Sequence, residues 1–448
     1  MRFIGLDIGS SSIKGAVLNL DSLTIESTAR VACPEPIANL PSRHFELDPL
    51  AVVDAVEGVV VQLLNEFDDC AGIVSCTQMA GVVLTDAAGN PLTNYLSWRD
   101  QRVAEKHPSG EYSYYDLLQS RLGETVMQQL GHECKLGSSP SLLFWLAEQN
   151  CLPSDATPLM LGDFVWRRLC GAEPVTEYTN ALGALNLQTR DWHREAFALL
   201  GIAELQWPRL CEAYQAVGAL TVRGRRILCY PSVGDHQCAL AGTMLRSGEL
   251  SINASTGSQI SLLATDYRVG DYQVRPYFDG QYLNTLTHLP AGRSLNVLVD
   301  LLTELARSQA ITLADPWSYI AQAAAGAETD LTADLAFFAG PMGERGSIGN
   351  ITVDNLHVGT LFRAAFQNMA DNYRECSRRL SPQQQWSNLV LSGGLIQNCD
   401  VLRELIIGEF ACPHRVCTTS EETLTGLLVL AMVASGRAGS VAAASAAV

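Results

Sequence analysis

Residues 5–20 read GLDIGSSSIKGAVLNL: an apolar run, one aspartate, a glycine, three consecutive serines, and a lysine that leads into a second apolar run. Two strand-like segments, 2–7 and 13–20, meet at a Gly/Ser tip, which is the pattern of a β-hairpin. Such a tip lets backbone N–H groups converge on one oxyanion while hydroxyls donate further bonds and no bulky side chain blocks close approach. The plain alternative is a tight turn built from the residues that make tight turns. A third strand is expected over 23–31. A helix then starts at Asp48-Pro49, with Val52, Val53, Val56, Val60 and Leu63 at helical spacing, and a short buried strand follows over 71–76. Three strands, a helix and a strand open an α/β fold.

Further on, the chain repeats its opening. Residues 249–254 alternate apolar positions, Ser255-Thr256-Gly257-Ser258 is a second hydroxyl-rich tip, and 259–264 is another apolar run. Two facing tips can hold the β- and γ-phosphates of a nucleotide from opposite sides, which favours the phosphate reading over the plain turn. Asp7 would then sit near metal-bound phosphates. Lys14 is either a phosphate cation or a side chain on the solvent face of its strand. Amphipathic helices are expected at 294–310 and 357–379, a strand at 387–392 ending in Ser392-Gly393-Gly394, and helices near 399–410 and 421–435. Residues 81–98 read as a further hairpin around Asn90-Pro91, and 101–230 as an insertion. The Ala/Ser/Gly tail beyond Arg437 is expected to fray.

The totals bound what such a fold does. At 448 residues the chain exceeds one hydrophobic core, so two domains with a cleft between them are expected. Apolar residues make up 47% and charged ones 17%, the balance of a globular protein. Thirty Lys and Arg against 47 Asp and Glu give a formal charge of −17, which argues against nucleic acid or an anionic membrane as partner. A phosphate ligand would then need backbone N–H groups, a few cations or a metal, magnesium first. The N-terminus MRFIGLDIG carries an aspartate in its apolar run and is not expected to be a signal peptide. The apolar stretch 427–434 is far short of the ~20 residues of a membrane span. Thirteen scattered cysteines without a Cys-x-x-Cys pair fit reduced thiols in a cytoplasm. Neither G-x-x-x-x-G-K-[ST] nor G-x-G-x-x-G occurs.

The segment D-I-G-S-S-S-x-K at 7–14, with S-T-G-S and S-G-G-x-x-x-N further on, resembles the actin-like ATPase superfold. Within it the chain resembles the FGGY carbohydrate kinases, through about residue 436. Cys76-Thr77-Gln78-Met79-Ala80-Gly81 is similar to the S-G-Q-M-H-G sugar loop of xylulokinase-like members, with Ala80 in place of histidine. Residues 95–102 resemble the family's W-x-D-x-R segment, Gly234-Asp235-His236-Gln237 its G-D-x-Q, Gly343-Glu344-Arg345 its G-E-R, and 421–436 its closing helix. The arrangement of Ser255-Thr256, Gln259, Pro276-Tyr277-Phe278, Tyr282-Leu283 and 295–298 most resembles the sedoheptulokinase branch, with xylulokinases next. Ser10-Ser11 stand where the family usually has Thr-Thr, which keeps the hydroxyls. Ala80 alters the sugar pocket.

The resemblance implies two ribonuclease-H-like α/β domains flanking an interdomain cleft: 1–240 with a sugar-binding insertion, 241–437 with most of the adenine site, and a tail over 438–448. It implies transfer of the γ-phosphate of ATP, with Mg2+, to a terminal hydroxyl of a ketose, sedoheptulose first, xylulose or another pentulose or polyol as the alternative. Asp235 would be the catalytic base; a helix N-cap is its plain reading. Gln78, Met79, Trp98 and Asp100 would face the sugar with Asp235. The plain readings are a core Trp98, Asp100 paired to Arg102, and Gln78 as a surface amide. Gly9, Ser10, Ser11, Ser12, Lys14, Thr256, Gly257 and Ser258 would take the phosphates, Gly393, Gly394 and Asn398 the adenine side, and Asp7 the metal, partly through water. The partners are then a small sugar and ATP, with a homodimer compatible. A rival class is an actin- or chaperone-like ATP-driven protein-binding switch, which would not need the 71–102 region or Asp235; a third reading keeps the fold without activity.

Overall fold

The computed structural model describes residues 1–448. Strands β1 (Arg2–Ile8), β2 (Ser12–Asn19) and β3 (Thr24–Ala32) form an antiparallel meander in which Asp7 pairs with Lys14 and Ile8 with Ile13. Helix α1 (Pro49–Glu66) starts where its local chemistry directs: the Asp48 side chain accepts from Leu50 N, and Pro49, which has no N–H to satisfy, opens the first turn. Strand β4 (Cys70–Thr77) returns parallel to β1, and β5 (Gly218–Val222) and β6 (Arg225–Gly234) complete a six-stranded sheet in the order β5-β6-β4-β1-β2-β3. Helix α2 (Asp235–Gly242) follows directly.

The second half repeats this plan. Its elements are β7 (Glu249–Ala254), β8 (Ser258–Ala264), β9 (Gln273–Pro276), β10 (Tyr282–Leu289), α3 (Gly292–Ser308), α4 (Val358–Leu380), β11 (Asn388–Ser392), α5 (Asp400–Phe410) and β12 (His414–Val416). The sheet runs β9-β10-β8-β7-β11-β12, with β7, β8 and β10 antiparallel neighbours and β7, β11 and β12 parallel. In each sheet the first strand of a meander lies beside a parallel strand that arrives after a helix. Helices α6 (Glu422–Ala434) and α7 (Val441–Ser445) close the chain.

The layers follow from which face each strand buries. Ile4, Leu6, Ile8 and Val17 meet Val52, Val56, Val59 and Val60 of α1 and Phe164 and Trp166 of the helix Leu161–Cys170. The opposite face, through Phe3, Ala16, Leu18 and Val74, packs on Leu424, Leu427 and Leu428 of α6 and Cys238 and Ala241 of α2. The same cluster reaches Leu263, Leu283 and Val390 of the second sheet, so α2 and α6 form a layer shared by both lobes. The second sheet's outer face, Leu250, Ile252, Ile260 and Leu262, is covered by Phe362, Phe366, Met369 and Tyr373 of α4. Where α2 and α6 cross, a Cβ on Gly242 would clash with Glu422 O and one on Gly426 with Cys238 O. The two backbones touch there, and glycine permits it.

One expectation is extended and one changes. Residues 81–98 fold back on themselves as the expected hairpin: Val82 and Leu96 exchange backbone hydrogen bonds (2.9 Å each), Leu92 N donates to Leu84 O (2.7 Å) and Asp86 N to Asn90 O (3.0 Å), and each arm also finds an outside partner. Val83–Thr85 pairs with Thr157–Leu159 and Tyr95–Leu96 with Glu46–Leu47, because these buried strands each find a partner in another segment. The tail does not fray. Ser440 caps α7, the Asp279 carboxylate accepts from Val441 N (3.1 Å) and Ala442 N (3.0 Å), and Val441 and Ala444 are buried in the shared layer. No helix is long and apolar enough to cross a membrane.

Between β4 and β5 the chain builds a satellite core from Leu118, Phe144, Trp192, Phe197 and Trp207, and Val274 and Tyr282 of the second lobe join it. Val274 N donates to Gly131 O (3.0 Å) and Tyr282 Oη to Leu187 O (2.8 Å). The first lobe's insertion is thereby seated on the second lobe's edge strands.

Candidate functional site

Three parallel strands end together. Asp7 of β1 lies beside Cys76 of β4, which lies beside Val233 of β6, and Gly234 lies beside Thr77. The residues at and just beyond these carboxyl ends are Asp7, Gln78 and Asp235, at the place where open α/β sheets bind ligands. Asp7 Oδ2 accepts from Thr423 Oγ1 (2.8 Å), while a Cβ on Gly9 would sit 3.8 Å from its Oδ1, so the other oxygen faces the first tip. Burial pushes the Asp7 carboxyl above its usual range, against the pull of Thr423 and Lys14.

Asp235 is half-buried at the start of α2. Burial, then the negative charge of Asp7, push its carboxyl up to about 7. A carboxyl poised there can accept a proton near neutral pH. The capping position is taken by Gly234, and Asp235 Oδ1 accepts only from its neighbour His236 N (2.8 Å).

The loop after β4 is fastened by Gln78 N to Ile8 O (3.1 Å) and by Tyr95 Oη to Ala80 O (3.2 Å). Ala80 has φ +64°, a left-handed conformation that costs a residue with a Cβ and that tends to persist at ligand sites. Gln78 is buried, not a surface amide, and neither atom of its carboxamide has a partner. Met79 Sδ is 2.5 Å from where a Cβ on Gly234 would lie, which brings this loop against the Asp235 turn. Trp98 is 42% exposed, so it is not a core residue. Asp100 is fully buried and spent: it accepts from Arg102 Nε (2.9 Å) and Nη2 (2.7 Å) and from Phe45 N (2.7 Å). Its expected place against a sugar is corrected, because a buried carboxylate must be paired and Arg102 is its partner.

At the first tip Gly9 N donates to Ser12 O (3.2 Å), Ser10 is half-exposed and Ser11 exposed. Ser12 is the first residue of β2 and buried, so the open hydroxyls are those of Ser10 and Ser11. Lys14 Nζ pairs with Glu421 Oε2 (2.9 Å) instead of facing solvent freely. At the second tip Thr256 and Gly257 are exposed and Ser255 N donates to Gly257 O (2.8 Å). Ser258 departs from expectation: its hydroxyl is bonded inside the core to Asn253 O (2.8 Å) and Tyr373 Oη (2.7 Å). Gly394 N donates to Ser255 Oγ (3.2 Å), Asn398 Nδ2 to Gly394 O (2.7 Å), and Gly393, at φ +91°, leaves no room for a side chain beside Ala254 O.

Three consecutive residues at the start of α6 tie these pieces together, and sequence reading did not single them out. Glu421 holds Lys14, Thr423 holds Asp7, and Glu422 accepts from Gly393 N (3.1 Å) and Asn253 Nδ2 (3.1 Å). The strand ends that flank both tips are thus tied to one helix terminus.

The family described as "FGGY family of carbohydrate kinases, N-terminal domain" matches residues 2–229, half of the chain. The xylulose kinase of Staphylococcus xylosus is 26% identical over 322 residues, 67% of this chain and 64% of that protein. The chain thus spans less than two thirds of the length of the curated relatives it matches. Among solved structures, ligand-bound xylulose kinase from Lactobacillus acidophilus superposes with TM-score 0.84 at 19% identity, covering 99% of this chain and 91% of that one. Plasmodium falciparum glycerol kinase with ADP gives 0.82 at 17%, covering 99% and 92%. The fold is therefore the two-lobed actin-like ATPase fold that these kinases share. With the family's first domain matched from β1 into β6, the chain belongs to the FGGY family of carbohydrate kinases.

Proposed function

We propose that this protein transfers the γ-phosphate of ATP to a terminal hydroxyl of a ketose or polyol lodged between Gln78, Met79 and Asp235. The observation that carries the reading is Asp235, a half-buried carboxyl raised to about 7 beside Asp7 at the strand ends. Phosphoryl transfer asks a protein mainly for positioning and charge stabilisation, with one group to orient or deprotonate the attacking hydroxyl. Asp235 takes that proton. Backbone N–H groups of 10, 11, 256 and 257, with the hydroxyls of Ser10, Ser11 and Thr256, hold the phosphates against the Gly9 turn, and Gly393, Gly394 and Asn398 flank the adenine.

The chain contains no cluster of three His, Cys, Asp or Glu side chains that would cage a metal by itself. Magnesium is usually held by one or two carboxylates together with phosphates and water, and Asp7, whose Oδ1 faces the first tip, would be its carboxylate. When bound, the ion neutralises phosphate charge.

Sedoheptulose is the first acceptor, from the motif pattern of 255–345. Xylulose is the second, favoured by the named relatives. Thirteen free thiols suit a reducing cytoplasm. ADP production measured with sedoheptulose, xylulose, ribulose and glycerol tests the reading. Turnover that needs one of these acceptors supports it; an ATPase indifferent to all four would favour the protein-binding switch.

A further inference from the structure

The strand end that carries Asp235 is gripped by the first lobe's insertion. Gly234 N donates to Thr179 Oγ1 (2.8 Å), and Asn180 Nδ2 donates to Ser232 O (2.6 Å). Thr179 and Asn180 lie in one short turn, Tyr178–Asn180, which thus holds the end of β6 through both an acceptor and a donor. From the other side Met79 Sδ closes on Gly234, 2.5 Å from where a Cβ would lie. Asp235 itself has no anchor beyond its own turn, since its Oδ1 accepts only from His236 N. The carboxyl therefore goes where the Gly234 backbone sends it.

The turn is anchored in its own right. Glu177 Oε2 accepts from Thr179 N (2.8 Å) and from Thr179 Oγ1. Thr176 Oγ1 donates to Asp163 Oδ2 (2.6 Å), which ties the segment to the helix Leu161–Cys170, and Val175–Glu177 pairs in parallel with Arg209–Cys211. Asp163, Thr176, Glu177, Thr179 and Asn180 are all buried. Burial pushes the carboxyls of Asp163 and Glu177 up to about 8, so both are largely neutral at pH 7. Burying so many polar groups is costly unless their bonds are used, and these bonds converge on Ser232 and Gly234. A hydroxyl has one proton. Glu177 takes that of Thr179, which turns a lone pair of Oγ1 toward the Gly234 amide.

We propose that Thr179 and Glu177 are positioning residues for the proton-accepting carboxyl: Glu177 fixes the direction of the Thr179 hydroxyl, the hydroxyl fixes the Gly234 amide, and the Gly234-Asp235 peptide is thereby aimed so that Asp235 meets the acceptor hydroxyl. This rests on the kinase reading above. Neither residue touches the sugar or the nucleotide, so the relay acts on the rate of transfer and not on binding.

The test measures ADP release by the full chain with xylulose, sedoheptulose, ribulose and glycerol. Thr179→Val should lower kcat about 10- to 100-fold and change KM for ATP and for the acceptor by less than about 3-fold, and Thr179→Ser, which keeps the hydroxyl, should recover most of the loss. Glu177→Met leaves the hydroxyl but frees its direction, so it should follow Thr179→Val, and it carries the comparison where Thr179→Val does not fold. Glu177→Gln, whose carbonyl still accepts, should recover most of the loss. In an Asp235→Asn background, Thr179→Val should lower kcat by less than about 2-fold more, because the carboxyl it positions is gone. If the wild type turns over an acceptor while either variant keeps its kcat within about 3-fold, raises KM instead, or multiplies the Asp235→Asn loss independently, the positioning role alone is overturned. A wild type that turns over none of the four acceptors overturns the kinase reading and the relay with it.

Discussion

Replacing Asp235 with asparagine should make the protein more stable and nearly inactive at once. The carboxyl sits at about 7 in the folded protein against about 3.9 for a free aspartate, so the folded state binds this proton more tightly than the unfolded chain does. Stability from this group is therefore whole below about pH 4, drains as pH rises, and is fully lost above about pH 7. At about 1.4 kcal/mol per pH unit the three-unit gap is about 4 kcal/mol, and about 2 kcal/mol once screening of a half-buried group is allowed for. The asparagine side chain has no charge to bury and keeps the oxygen that accepts His236 N. Urea unfolding should thus give D235N an advantage of about 2 kcal/mol at pH 8 that shrinks steadily toward pH 5. A coupled ADP assay should show kcat lowered about 10²- to 10⁴-fold, while wild-type turnover rises with pH through a midpoint near 7. Near-normal turnover by D235N, or an equal or lower stability at pH 8, would refute the reasoning.

Other perturbations probe the frame around that carboxyl. Gly426→Val forces a side chain into Cys238 O and should lower stability by about 1–3 kcal/mol in thermal unfolding while raising KM for ATP, since α6 carries Glu421 to Thr423. Thr423→Val removes the 2.8 Å bond to Asp7 and should cost about 1 kcal/mol, with a higher magnesium requirement in initial-rate titrations. Lys14→Met breaks a half-exposed ion pair and should change stability by under about 1 kcal/mol, so a large rise in KM for ATP would assign Lys14 to phosphate binding and an unchanged KM would remove it. Ser258→Ala should leave KM for ATP unchanged and cost about 1–3 kcal/mol of stability, because its hydroxyl serves Asn253 and Tyr373.

The amino-acid sequence by itself determined the local matters: two hairpins with glycine and hydroxyl tips, the helix that begins at Asp48-Pro49, the valine stripe of α1, and the Gly-Asp turn that places Asp235 after a strand. Period, turn chemistry and capping act over a few residues, and so they are legible in a few residues. The destination of each polar side chain was decided only by the tertiary structure. Ser12 and Ser258 read as tip hydroxyls and are buried in or behind strands; Asp100 reads equally as a sugar ligand and as a partner of Arg102, and the fold selects Arg102; Lys14 finds Glu421 from 407 residues away. Glu422 and Thr423 carry no motif of their own, yet they tie together the strand ends that flank both tips. A hydrogen-bond partner is chosen by proximity in space, and the folded core, not the neighbouring sequence, brings such distant groups within about 3 Å.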